Sequence, residues 1–172
     1  VSDRYPGQNG PHVVRSETRR MAFLSKKDYL EQIQKKKDRL LSRVQTTYRQ
    51  QRAAFDSVGN LEPDADGYMQ ACQVEAIRQE LLRDQLKGIA KQLKDLFDDL
   101  AVNKVSDAPE GESLDYVRTA LLSIADKHLA NAASRLRHQS GVAGGDTQES
   151  PDPAFAARAV NTAARELGSL VL

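Results

Sequence analysis

The chain has 172 residues, enough to bury a sizeable core, with 28% of them charged, no Trp and a net charge of +1. A single cysteine, Cys72, excludes an intrachain disulfide and points to a reducing interior compartment rather than secretion. No run of 18 or more apolar residues exists, so no segment has the length and apolarity of a membrane-spanning helix, and the first residues carry no apolar stretch of the kind a secretory signal needs.

The charge is unevenly spread. Residues 1–58 carry 13 Lys and Arg against 6 Asp and Glu, residues 59–112 carry 6 against 12, and residues 113–172 carry 6 of each. A basic first third and an acidic second third can attract one another as antiparallel neighbours, or the basic third can face an external polyanion.

Residues 1–24 are punctuated by Pro6, Gly7, Gly10 and Pro11 and show no sustained apolar period. They read as an extended basic arm, with Arg15, Arg19 and Arg20 followed by an apolar knot of Met21, Phe23 and Leu24. The arm is either an unstructured tail or a docking segment whose knot fills a pocket on a partner. Ser25 and Asp28 then have the spacing of a capping box, with Asp in place of Glu, and a first helix is expected from Lys26 to about Ser57. Its apolar positions, Leu30, Ile33, Leu40, Leu41, Val44, Tyr48 and Phe55, suggest an 11-residue repeat, interrupted at Lys37 and Gln51.

Residues 58–67 break the helix, with Gly59 placed to supply a left-handed cap and Pro63 unable to continue it. Glu62, Asp64, Asp66 and Gly67 mimic the start of a calcium-binding loop, but Gln73 stands where a bidentate carboxylate is required, so a turn before an acidic helix start is the reading. The second helix, from Gly67 or Tyr68 to Leu100, carries the clearest pattern in the chain. Leu82, Leu86, Ile89, Leu93, Leu96 and Leu100 follow one another at spacings of 4, 3, 4, 3 and 4, the a/d alternation of a heptad. Extrapolated backwards this seam passes through Gln79, Glu75 and Cys72, so it weakens there while offering Cys72 a buried place. It pairs either with the first helix or with a partner subunit.

Residues 101–113 read as a linker, with Ser113 as the N-cap of a third helix from Leu114 to about Arg137. The stripe of that helix runs Leu114, Val117, Leu121, Ile124, then Ala125, Leu129, Ala132, Leu136, shifting by one position near His128. A Gly- and Ser-rich loop at 138–153 follows, and Asp152-Pro153 opens a fourth helix.

The fold expected is therefore all-α: a long antiparallel, coiled-coil-like helical hairpin at 25–100, a linker at 101–113, and a C-terminal helical pair at 114–172, preceded by the arm at 1–24. Nothing in the chain resembles catalytic or ligand-binding apparatus. His12, His128 and His138 have no acid at metal-ligand spacing, and Gly141-Val142-Ala143-Gly144-Gly145 lacks the Lys-Ser/Thr of a phosphate-binding loop. The reading is a non-enzymatic, intracellular structural or adaptor subunit with no cofactor, metal or membrane span. It binds protein partners or itself through Leu82, Leu86, Ile89, Leu93, Leu96 and Leu100 and through Met21, Phe23 and Leu24. A helical-bundle chaperone is one alternative. The other is a nucleic-acid-binding accessory protein using Arg15, Arg19, Arg20, Lys26, Lys27, Lys35, Lys36 and Lys37.

Overall fold

The computed structural model describes residues 24–62, 65–103, 108–141 and 153–169, and among these the side chains of 24–62, 65–103, 113–141 and 156–166. The described residues form α1 (Lys26–Gly59), α2 (Tyr68–Val102), α3 (Ala108–Ser123), a π-helical segment (Ile124–Leu129), α4 (Ala130–Gln139) and α5 (Pro153–Ser169), with no strand among them. The fold is all-α. The arm up to Phe23, including Arg15, Arg19, Arg20 and Met21, and residues 142–152 of the expected loop lie outside the described residues.

The chain divides into two units, residues 1–31 and 32–172, the boundary falling within α1. In the first, Ser25 caps α1 as its spacing predicts. The Asp28 backbone N–H donates to Ser25 Oγ at 3.1 Å, and the Ser25 hydroxyl donates to Asp28 Oδ2 at 2.7 Å. The carboxylate in the first turn also faces the positive end of the helix dipole.

The second unit is a four-helix bundle in which α3, the π segment and α4 serve as one interrupted helix. Its organising contact is the antiparallel packing of α1 on α2. Lys36 reaches Asp99, Arg43 reaches Gln92, Gln51 reaches Gln79 and Ser57 reaches Glu75, so α2 numbers fall as α1 numbers rise. Every position of the α2 heptad from Tyr68 to Leu100 is buried: Tyr68, Cys72, Glu75, Gln79, Leu82, Leu86, Ile89, Leu93, Leu96 and Leu100. The seam thus extends through the polar positions that weaken it in sequence.

The buried face of α1 is also a heptad rather than an 11-residue repeat. Ile33, Leu40, Val44, Thr47, Gln51, Ala54 and Val58 are buried, whereas Leu30 and Leu41 are exposed. The apolar count misleads here because polar and small residues occupy seam positions. Thr47 satisfies its hydroxyl by donating to the Arg43 carbonyl at 3.0 Å, so its methyl can be buried at little cost. Gln51 donates through Nε2 to Gln79 Oε1 at 3.0 Å and to the Val160 carbonyl of α5 at 3.1 Å. The two interruptions of the α1 and α2 stripes therefore face each other.

Two helix boundaries differ from expectation. The left-handed glycine of the α1–α2 turn is Gly67, at φ 89°, which precedes Tyr68, while Gly59 is the last residue of α1 and has no positive φ. Helix α3 starts at Ala108, so Ser113 lies inside it, and 101–102 and 108–113 of the expected linker are helical. Pro109 falls in the first turn, where its missing N–H would be unbonded in any case.

The third helix packs antiparallel on α2. Tyr68 Oη donates to Gln139 Oε1 at 2.8 Å near one end, and Lys87 pairs with Asp126 at 2.7 Å further along. The one-position shift of its stripe appears as the π segment, where the Ala130 N–H donates to the Ala125 carbonyl, five residues back. One extra residue is absorbed there, so Leu114, Leu121 and Ile124 before it and Leu129, Ala132 and Leu136 after it all point inward. Helix α5 closes the bundle near the α1–α2 turn, its Ala156 and Val160 clustering with Val58, Tyr68, Cys72, Ala76, Ala132 and Leu136. Burial pushes the Cys72 thiol above its ordinary value, against a hydrogen bond with Tyr68 and helped by the charge of Glu75, and the sulfur packs within the core.

Two predictions follow from this packing. Replacing Gln51 alone by Leu strands the buried Gln79 amide and lowers the unfolding free energy by about 1–3 kcal/mol, whereas the double change with Gln79→Leu recovers most of that loss. Urea unfolding of both single variants and the double variant checks this, and additive losses would contradict it. Deleting Lys127, exposed within the π segment, turns that segment α-helical and keeps both halves of the stripe facing inward. Deleting the exposed Thr119 rotates everything after it by about 100°. The first variant unfolds near the wild-type urea midpoint and the second far below it.

Candidate interaction surfaces

Helix α2 carries two apolar faces. One is the buried seam. The other is an outward row of Val74, Ile77 and Leu81, which are 52%, 48% and 58% exposed. Their spacings of 3 and 4 place them along one line of the helix, on the side away from the seam. Scattered exposed apolar residues are ordinary on any protein, but three in register on one helix form a strip that a second helix can cover.

The row begins at a groove of about 320 Å3 beside the α1–α2 turn, lined by Ser57 and Leu61 on one side and Gln70, Ala71, Val74 and Glu75 on the other. Glu75 is buried, its Oε1 accepting from Ser57 Oγ and from Arg78 Nη1, each at 2.8 Å. A second groove, of about 510 Å3, lies along the opposite half of the hairpin. Leu40 and Leu96 line it, with Lys36, Arg39 and Arg43 on the α1 side and Asp95 and Asp99 on the α2 side.

The partner-binding seam proposed from sequence lies inside the bundle. Leu82, Leu86, Ile89, Leu93, Leu96 and Leu100 are at most 4% exposed, covered by the chain's own helices. Leu24 is exposed, while Met21 and Phe23 lie outside the described residues. Of the basic set, Lys26, Lys27, Lys35 and Lys36 are exposed and Lys37 is half-buried, with Arg15, Arg19 and Arg20 outside the described residues. Lys36 pairs with Asp99 at 3.5 Å, so part of the basic first third is met by the acidic second helix. Among the described residues neither Lys35, Lys37 nor Arg39 has an ion pair.

The outward row was present in the sequence as a second 3/4 series but was hidden by its neighbour. Ile77 and Leu81 lie among the loosely spaced apolar residues of the first half of α2, on the other side of the helix from the seam. Of the ion pairs that local spacing on α2 suggests, Lys94–Asp98 forms, while others give way to contacts between helices. Arg83 and Lys87 of α2 both turn to Asp126 of the π segment, at 3.4 and 2.7 Å, and Glu80 pairs with Arg137 of α4. These links hold α2 to the third helix and leave the outward row uncovered.

Among the described residues no group of three His, Cys, Asp or Glu side chains could hold a metal ion, and no helix is long and apolar enough to cross a membrane. No protein-family model matches the sequence, and no curated protein or solved structure matches it either. The class of protein shown is thus an all-α helical bundle, with its own surface as the only guide to its role.

The hydrogen bond from Lys87 holds the Asp126 carboxyl below the ordinary carboxylate value against the opposing effect of desolvation, helped by the charge of Lys87 and by the hydrogen bond and charge of Arg83. A depressed folded-state pKa means that the accompanying stabilisation is present above the unfolded-state value and is lost as pH falls through the folded-state value. Carbon-detected NMR titration is expected to show Asp126 ionising at lower pH than a free aspartate and to show the value rising in Lys87→Met. An unchanged titration in that variant would remove Lys87 as the cause.

Proposed function

We propose that this chain is a non-enzymatic structural or adaptor subunit of a larger protein assembly and that it engages its partner through the outward face of α2. The observation that carries this reading is the second apolar row, Val74, Ile77 and Leu81, exposed while the opposite face of the same helix is buried. Selection for the bundle alone explains the seam, because burying it drives folding. It does not explain a second apolar line on the solvent side, which lies outside the core and carries an aggregation hazard unless covered. The rest of the bundle packs against the seam of α2 and leaves the row on its outer side.

A second reading is contact with nucleic acid through α1, favoured by the exposed Lys35 and Arg39, which have no ion pair among the described residues. Such contact would follow phosphate charge and weaken steeply with salt.

The two readings separate in one experiment. Ile77→Asp with Leu81→Asp changes exposed side chains, so the bundle stays within about 0.5 kcal/mol per site of wild-type stability. Crosslinked capture from the native source, read by mass spectrometry with and without nuclease, should then lose its protein partners in this variant and keep them after nuclease treatment. Partners retained by the variant contradict the α2 face, and partners released by nuclease favour the nucleic-acid reading. Ile89→Asp with Leu93→Asp does not serve this purpose. Those residues are at most 2% exposed, and two charges placed there unfold the bundle itself.

A further inference from the structure

Glu75 occupies a seam position of α2, where an aliphatic side chain would pack, yet it is a carboxylate only 4% exposed. Its Oε1 is fully used by Ser57 and Arg78, while its Oε2 is buried without any hydrogen-bond partner. Oε1 links α1 to α2 through Ser57, but a carboxylate oxygen withdrawn from water without a donor, as Oε2 is, is costly. The same side chain forms a wall of the groove beside the α1–α2 turn, at the point where the outward row of α2 begins with Val74. Leu61 and Ala71 extend the apolar surface into that groove.

The surroundings are acidic. Between Ser57 and Arg78 the described residues include Glu62, Asp66 and Glu75, with Arg78 as the only base, and Arg78 is already held by Glu75. Glu62 and Asp66 are exposed and have no ion pair among the described residues.

We infer that this groove and the adjoining row form a docking site for an amphipathic helix of a partner protein that carries a lysine or arginine beside its apolar residues. The inference rests on the proposed adaptor role and names the chemistry of the partner. Val74, Ile77 and Leu81 span about two helical turns, matching an i, i+3, i+7 row on a crossing helix. The partner's cation donates to Glu75 Oε2 once that side chain turns toward the groove, and it balances the surplus of carboxylates around the turn.

The test uses the full chain and three synthetic helical peptides of about 18 residues, long enough to hold a helix. Each has leucines at i, i+3 and i+7, and they differ at one flanking position, which is Arg, Gln or Glu. Fluorescence anisotropy should show the Arg peptide binding about tenfold or more tighter than the Gln peptide, and the Glu peptide weakest. Glu75→Gln, with an unchanged circular dichroism spectrum, should remove the preference for Arg while leaving binding of the Gln peptide intact. Ile77→Asp should weaken all three. Equal binding of the three peptides by the wild-type chain overturns recognition of a cation and leaves the adaptor reading standing. Binding of no peptide, or binding indifferent to Ile77→Asp, overturns the groove and row as a docking site. The peptide comparison on the wild-type chain decides the matter even if Glu75→Gln fails to fold.

Discussion

The hydrogen bond between Gln51 and Gln79 is the constraint on which the rest of the bundle depends. A heptad seam made only of aliphatic residues packs almost equally well after a slip of one heptad, about 10.5 Å along the helix. A fully buried amide on each helix removes that freedom, because in any slipped register both amides face hydrocarbon. The pair is imperfect, since Gln51 Oε1 and Gln79 Nε2 have no hydrogen-bond partner. Specificity is thus obtained at a cost in stability, a trade also seen where a buried polar residue sets the register of a coiled coil. The Gln51 amide also reaches the Val160 carbonyl, so the same contact sets where α5 lies on the first two helices.

Once that register is set, the surface electrostatics follow from it. Lys36 meets Asp99, Arg43 meets Gln92 and Ser57 meets Glu75. The basic first third and the acidic second third of the chain are neighbours, but only loosely. Lys36 and Asp99 are 56% and 37% exposed, and a pair so exposed contributes little. The charge asymmetry reads better as a guide to antiparallel orientation than as a source of stability.

The helical class, the α2 seam and the reading-frame shift of the third helix were legible in the sequence because each is written in large aliphatic residues at fixed spacings. Ile124 to Ala125 marks the place where the spacing slips, and the backbone answers with a π segment over Ile124–Leu129. The α1 seam was not legible, because Thr47, Gln51 and Ala54 fill seam positions while Leu30 and Leu41 draw the eye to solvent-facing ones. Whether Gln51 is an interruption or a core residue depends on Gln79, which lies on another helix, and a single-helix pattern holds no information about that partner. The start of α3 was hidden for a different reason. Pro109 and Gly111 signal a break in most contexts, but in a first turn proline is tolerated. The outward row was missed because a seam and an outer row with the same 3/4 spacing are told apart only by their phase around the helix.

That difference in phase is what gives α2 two separate uses. Along the seam, burial of Leu82 to Leu100 drives folding and leaves nothing for a partner to touch. On the far side, Val74, Ile77 and Leu81 lie outside the seam and remain about half exposed. Glu75 lies between the two, a seam residue by spacing and a groove residue by contact. The third helix keeps the two uses apart. Its π segment absorbs one extra residue, preserves the inward stripe on both sides and places Asp126 between Arg83 and Lys87. Were the same residues wound as a regular α-helix, the two halves of the stripe would be out of phase by about 100°, and one half of the helix would lose its hold on α2. An α2 held along its seam and by these ion pairs is the condition for its outer row to face another helix in a fixed register.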